Sequence, residues 1–232
     1  MYKRKNFLAI IPARGGSKGI PRKNIFEVNG LPLIQYTIDE AKKSEFLDRV
    51  VVSTDDKEIE EVVRKIGGEV PFLRPSELAT DNSKTIDAML HVINGLEEAG
   101  ENYDYVVLLQ PTQPLRKSWH IDEAIKKIVD TNQNSLVSVS EVNDHPILIR
   151  TINSGGNLET LLKRESTLRR QEFPSYYKVN GAIYINRLDE NFNQYTSLND
   201  NLVPYIMEKE YDIDIDNPID LEMFKVLLTR EG

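Results

Sequence analysis

The sequence predicts an α/β fold in three layers, a mostly parallel sheet between helices. Two observations predict it. Short apolar runs rich in Val, Ile and Leu alternate with amphipathic helical patterns through about residue 140, which is how buried parallel strands and their crossover helices read. The 232-residue length, with 40% hydrophobic and 28% charged residues, suits one core of ordinary globular make-up and argues against wholesale disorder.

In chain order, strands are expected at Phe7–Ile11, Val50–Val52, Tyr105–Leu109 and Leu136–Val139. Helices are expected between and after them: 32–43 starting at Pro32, 56–66 ending at Gly67-Gly68, 85–99 ending at Gly100, and 118–130 with Ser118 as N-cap. The rhythm then changes. Pro146–Ile152, the turn-rich Asn153-Ser-Gly-Gly-Asn157 and the run from Leu158 predict a hairpin-like excursion, an arm or lid. Regular patterning resumes at Gly181–Ile185 and Tyr205–Met207, and a last helix runs from about Asn217-Pro218 through Leu228. With no internal repeat or dividing linker, residues 1–232 read as a single domain with an inserted arm at about 141–178.

The formal charge is −8, which argues against a surface shaped as a whole for nucleic acid. Its distribution is uneven: residues 1–26 hold seven basic residues and no acid, while residues 208–222 hold seven acids against Lys209. The absence of cysteine excludes disulfides, thiolate metal sites and a Cys nucleophile. Phe7–Ile11 after Lys3-Arg4-Lys5 looks superficially like a signal peptide. Pro12 and Arg14 end that apolar run after five residues, so the reading is a soluble, cytoplasmic protein without membrane partners.

Four segments can carry chemistry. Pro12–Asn24 follows the first strand with three glycines and four cations (Arg14, Lys18, Arg22, Lys23), a composition suited to polyphosphate. It matches neither the dinucleotide G-x-G-x-x-G nor the G-x-x-x-x-G-K-[ST] loop, and the competing reading is a solvated basic loop. In Asp212-Ile-Asp-Ile-Asp216, an extended backbone puts three carboxylates on one face and Ile213 and Ile215 on the other. That face suits Mg²⁺, or else is an acidic strand edge. The strand end Leu108–Arg116 sets Gln110, Thr112, Gln113 and Arg116 at its mouth, as a substrate wall or a plain turn. Arg169 and Arg170 either grip an anion or are ordinary surface charge. His91, His120 and His145 lie far apart, without metal-ligand spacing.

Taken together, Ile11–Ile25, Val52-Ser-Thr-Asp55, Leu73–Ala79, Leu109-Gln-Pro-Thr-Gln-Pro-Leu-Arg116, Asn180-Gly-Ala-Ile-Tyr-Ile185 and Ile213-Asp-Ile-Asp216 resemble, in order and over nearly the whole chain, the acylneuraminate cytidylyltransferases. These are also called CMP-sialic acid synthetases and include CMP-legionaminate-type enzymes. The resemblance implies a nucleotidyltransferase (Rossmann-like) α/β fold with a mixed, mostly parallel sheet and a small protruding arm through which two chains dimerise, each arm reaching towards the partner's site. It implies joining of CTP to a nine-carbon 2-keto sugar acid with release of pyrophosphate. Carried over residue by residue, Ala13, Arg14, Lys23, Asn24, Arg74 and Thr85 would hold the nucleotide, Gln110, Arg170 and Asn180 the sugar acid, and Asp214 and Asp216 the Mg²⁺ cofactor. Arg14 and Lys23 would supply catalytic charge across the triphosphate.

Two positions depart from members that use N-acetylneuraminate. Ser197-Leu198 stands where those members carry an aromatic pair, and Glu172 stands where some carry a second glutamine. Both would belong to the sugar pocket, which leaves the sugar open between an N-acylneuraminate and a legionaminate-like nonulosonate. The rival readings are a Kdo-type cytidylyltransferase, whose first loop resembles Ala-Arg-Tyr-Gly-Ser instead, and a Mg²⁺-dependent glycosyltransferase using the Asp-x-Asp pair.

Overall fold

The computed structural model describes residues 1–162 and 173–229. Its centre is β1 (Phe7–Pro12), whose residues Phe7 to Ile11 are all fully buried. Alternation sorts them onto two layers. Phe7, Ala9 and Ile11 pack with Ile34 and Ile38 of α1 (Leu33–Lys43), Ile59 and Val63 of α2 (Lys57–Lys65), and Ile121 and Ile125 of α4 (Ser118–Asp130). Leu8 and Ile10 face the other way, onto Met89, Val92 and Ile93 of α3 (Thr85–Glu98). The helices bury what their period dictates: Ile34, Thr37, Ile38 and Ala41 in α1, and Ile121, Ala124, Ile125 and Ile128 in α4, follow i, i+3, i+4, i+7. This is the expected α/β sandwich.

Besides β1, the main sheet contains β4 (Arg49–Ser53), β5 (Tyr105–Leu108), β6 (Ser135–Glu141), β9 (Tyr177–Arg187) and β10 (Val203–Ile206), in the order β10-β6-β9-β5-β1-β4. β1 pairs in parallel with β4 on one side and β5 on the other, and β10 pairs in parallel with β6. Only β9 among these strands is antiparallel to its neighbours. The sequence pattern located just Gly181–Ile185 of its eleven residues, because Tyr177, Lys178 and Val179 are exposed and read as loop. Two short antiparallel pairs stand apart from this sheet: β2 (Glu27–Val28) with β3 (Leu31–Pro32), and β7 (Arg150–Ile152) with β8 (Leu158–Thr160). The second pair falls within the excursion expected at 141–178, with Ile152 and Leu158 opposite one another at 73% and 70% exposure.

Termination signals act as their chemistry requires. Asp56 caps α2 by accepting from the Glu58 and Ile59 amides, and Gly67 and Gly100 take positive φ beyond α2 and α3. Ser118 differs from its expected role. It is the first helical residue of α4, its amide donates 2.8 Å to Glu40, and the Lys117 amide donates to His120 Nδ1 at 2.9 Å. The imidazole and a neighbouring helix's carboxylate thus do the capping.

A third apolar cluster decides where distant segments meet. Ile20 of the basic loop, Leu115 after β5, Ile213 and Ile215 of the acidic segment, and Leu221 and Phe224 of α5 (Pro218–Leu228) are buried together with Val28 and Leu33. Each such isoleucine contributes roughly 1.5–3 kcal/mol on burial. The 212–216 segment forms no sheet pairing, yet its alternation holds: Ile213 and Ile215 are buried while Asp214 and Asp216 face solvent. Among the described residues no helix is long and apolar enough to cross a membrane.

Candidate functional site

Because the chain leaves β1 for β4 on one side and reaches β5 on the other, a crevice opens at the carboxyl ends of β1 and β5, the position where open α/β sheets bind ligands. A cavity of about 530 Å³ lies there, within the size range of small-molecule sites. Pro12, Gln110, Pro111 and Thr112 line it from the strand ends, and the basic loop contributes Arg14, Ser17, Lys18, Gly19, Lys23 and Asn24. Arg74 and the 78–85 segment form a third side, and Asp216 lines the edge. Thr85 is the first residue of α3, so that helix presents its N-terminus to the cavity, an arrangement favourable to anions.

The lining holds five cations (Arg14, Lys18, Lys23, Arg74, Lys84) against two carboxylates, Asp81 and Asp216. Arg74 is only 6% exposed; burial pulls its guanidinium below its ordinary pKa, Asp55 opposes this from 3.5 Å, and Arg14's charge adds to the lowering. Asp55 also accepts from the Gly15 amide at 3.2 Å, so one carboxylate fixes both the loop and Arg74. Arg14 pairs with Asp81 at 3.1 Å and donates to the Thr80 carbonyl at 3.0 Å, and Lys18 reaches the same Asp81 at 2.9 Å. These two partners hold the Asp81 carboxyl below the ordinary carboxylate range. Asn24, 6% exposed, donates to the Arg14 carbonyl at 3.1 Å and so braces the loop from below.

The loop's path depends on two close approaches. A Cβ on Gly15 would run into the Asp56 side chain, and one on Gly19 would run into the Asp216 carbonyl oxygen. The second contact ties residue 19 to residue 216. Lys23 strengthens the tie, donating 2.8 Å to the Ile215 carbonyl and 2.9 Å to the Asp216 carboxylate. Arg22 does not join the other three loop cations. It sits at φ +56° and turns away to pair with Asp56 at 2.5 Å and with Glu58. The expectation of four converging cations is therefore corrected to three, because α2's capping carboxylate captures the fourth.

Asp214 lies beside this edge and reaches solvent. Partial desolvation nevertheless lifts its carboxyl above the ordinary range; a hydrogen bond from Thr112 opposes the rise, Asp216's charge adds to it, and Lys23 and Lys178 offset it. Asp212 pairs with Lys178 at 3.0 Å.

Of the residues expected at the site, Arg14, Lys23, Asn24, Arg74, Thr85, Gln110 and Asp216 line the cavity, and Asp214 adjoins it through Asp216 and Thr112. Two do not line it. The Ala13 side chain is fully buried in the core and its amide donates to the Ser53 carbonyl at 2.9 Å. Asn180 is 4% exposed and occupied with Ser138 at 2.6 Å and Ser140 at 2.8 Å. There it holds the bulge at which β6 and β9 lose register between Val137 and Val139. Arg170 lies outside the described residues. Asp81 was missed: Leu73–Ala79 pointed to the segment, but an acid beside a phosphate-like loop carries no local sign that it faces Arg14 and Lys18.

The sequence matches the family model described as cytidylyltransferase over residues 8–228. The chain belongs to the cytidylyltransferase family. Among curated members it is 37% identical, over 95% of both chains, to the CMP-N,N'-diacetyllegionaminic acid synthase of Legionella pneumophila. It is 36% identical to the N-acylneuraminate cytidylyltransferase of Streptococcus agalactiae serotype V, across 90% of this chain and 50% of that one. This family member thus spans about half the length of its streptococcal relative. Among solved structures, a CMP:2-keto-3-deoxy-manno-octonic acid synthetase complexed with CTP superposes with a TM-score of 0.75 at 19% identity, covering 98% of this chain and 100% of the other. That likeness shows the shared fold, a mostly parallel mixed sheet between helices.

Proposed function

We propose that this protein transfers the cytidylyl group of CTP to a nine-carbon 2-keto sugar acid, N-acylneuraminate or legionaminate-like, releasing pyrophosphate. The observation that carries the reading is the cavity at the β1/β5 crevice, lined by five cations of which Lys23 pairs with Asp216 at the edge, Asp214 lying beside it. The relatives, an N-acylneuraminate cytidylyltransferase and a CMP-N,N'-diacetyllegionaminic acid synthase, support it.

The chemistry is displacement at phosphorus. The sugar's anomeric oxygen forms a bond to the α-phosphorus of CTP, the bond to the pyrophosphate oxygen breaks, and the hydroxyl proton passes to solvent. Two anions must meet and further charge builds on the leaving oxygens. Arg14, Lys18 and Lys23 would offset that charge, and fixed charges of this kind are worth about 10²-fold or more in rate. Asn24, Arg74 and Thr85 remain proposed for the nucleotide, Gln110 for the sugar acid, and Arg14 and Lys23 for catalytic charge.

Asp214 and Asp216 would hold Mg²⁺. Their chemistry fits: two hard carboxylates, one partly desolvated, border a phosphate-sized cationic cavity. Mg²⁺ commonly takes one or two protein carboxylates and leaves its other positions to phosphate and water. Bound there, Mg²⁺ would neutralise triphosphate charge and fix its geometry. A homodimer built through the β7–β8 ribbon and a cytoplasmic setting complete the proposal.

The test pairs CTP, UTP, ATP and GTP each with N-acetylneuraminate, legionaminate, pseudaminate and Kdo, in Mg²⁺, with pyrophosphate as readout. CTP with at least one nonulosonate should give product. Silence with every nonulosonate overturns the reading, and turnover confined to Kdo replaces it with the octulosonate activity.

A further inference from the structure

Arg116 lies at the end of the Leu109–Arg116 motif, yet it is completely buried, the largest such side chain in the described core. Among the described residues no carboxylate pairs with it. One guanidinium nitrogen donates to three carbonyls, Ala182 at 2.9 Å, Gln110 at 3.3 Å and Gln113 at 3.4 Å, while Nε and the second amino nitrogen find no described partner. Burial pushes its pKa down to about 9, with Glu40 opposing only through space. A buried cation without a counter-ion is expensive, so its retention asks for a role that packing alone does not give.

Its carbonyl partners suggest that role. Gln110 lines the cavity, and Ala182 follows Gly181, which has φ +80°. A Cβ on Gly181 would collide with the Gln110 side-chain oxygen and lie 3.9 Å from Gln113 Cγ. Gln113 is 1% exposed, with neither amide atom partnered among described groups. Arg116 therefore bridges, from behind, the turn that follows β5 and strand β9, whose contact sets the position of the Gln110 amide.

We infer that Arg116 is a positioning residue for the sugar-acid side of the cavity, holding Gln110 against Gly181 and placing a fixed positive charge behind the wall that faces the anionic co-substrate. The inference rests on the proposed cytidylyl transfer.

The test measures KM for CTP and for the best sugar acid, with kcat and thermal midpoint, in wild type, Arg116→Met, Arg116→Lys and Gly181→Ala. Arg116→Met should raise the sugar-acid KM about tenfold or more while the CTP KM stays within about twofold, the loss expected when a displaced Gln110 amide gives up a hydrogen bond to an anionic ligand. Arg116→Lys, which keeps the charge and a donor, should recover most of the loss. A parallel rise in both KM values, or an unchanged sugar-acid KM, overturns the inference. If Arg116→Met does not fold, Gly181→Ala decides: it moves Gln110 with Arg116 intact, and an unchanged sugar-acid KM refutes the unit. A silent wild type overturns the activity and this inference together, whereas an active wild type with indifferent variants overturns only the role of Arg116.

Discussion

Lys23 Nζ lies 2.9 Å from the Asp216 carboxylate, joining residues 193 positions apart at the mouth of one cavity. With Asp216 72% exposed, such a pair is worth roughly 0–1 kcal/mol. The buried Ile20, Ile213 and Ile215 beneath it contribute several times more, so apolar packing sets the meeting point and the ion pair marks it.

A consequence for binding follows. Asp216→Asn removes a carboxylate from an anion site, so without divalent metal the variant should bind CTP more tightly than wild type by equilibrium dialysis. With Mg²⁺, its turnover should fall about 10²-fold or more. Weaker metal-free binding would contradict this account of the edge.

Gly19→Ala tests the same junction sterically. The added methyl meets the Asp216 carbonyl oxygen, and because backbone cannot swing aside like a side chain, loop or tail must shift. The expected cost is about 1–3 kcal/mol of stability, read by urea denaturation, together with reduced turnover. A variant with wild-type stability and activity would mean that the two segments do not touch.

Asp214 gives a pH signature. Its folded carboxyl is raised, so ionising it costs folding free energy: stability falls as pH rises from the unfolded carboxylate range through the folded value. In EDTA at neutral pH, Asp214→Asn should melt higher than wild type, with the amide oxygen still able to accept from Thr112. That gain should vanish on acidification below the carboxylate range. A lower thermal midpoint at neutral pH would show that the carboxylate is not destabilised there.

The proposed homodimer should depend on the β7–β8 ribbon. Ile152 and Leu158 face each other across the pair and both are largely exposed. Replacing both by Asp should yield a monomer in sedimentation velocity with the main core intact by circular dichroism. A dimer unchanged by the double substitution would place the interface elsewhere.

The sequence by itself determined the β1 core strand, the helices whose 3.6-residue period is continuous, and the alternation of Ile213 and Ile215 with the carboxylates, since each is local chemistry. It also marked the basic loop and the acidic segment as candidates. What it could not assign was partnership. Whether Arg22 serves the ligand or Asp56, whether Asn180 lines a wall or braces a bulge, and whether Arg116 stands at a mouth or behind it depend on which segments pack together. Only the tertiary structure decided those: side-chain roles follow from neighbours brought in by the sheet order and the third apolar cluster, and no local pattern encodes a neighbour almost 200 residues away.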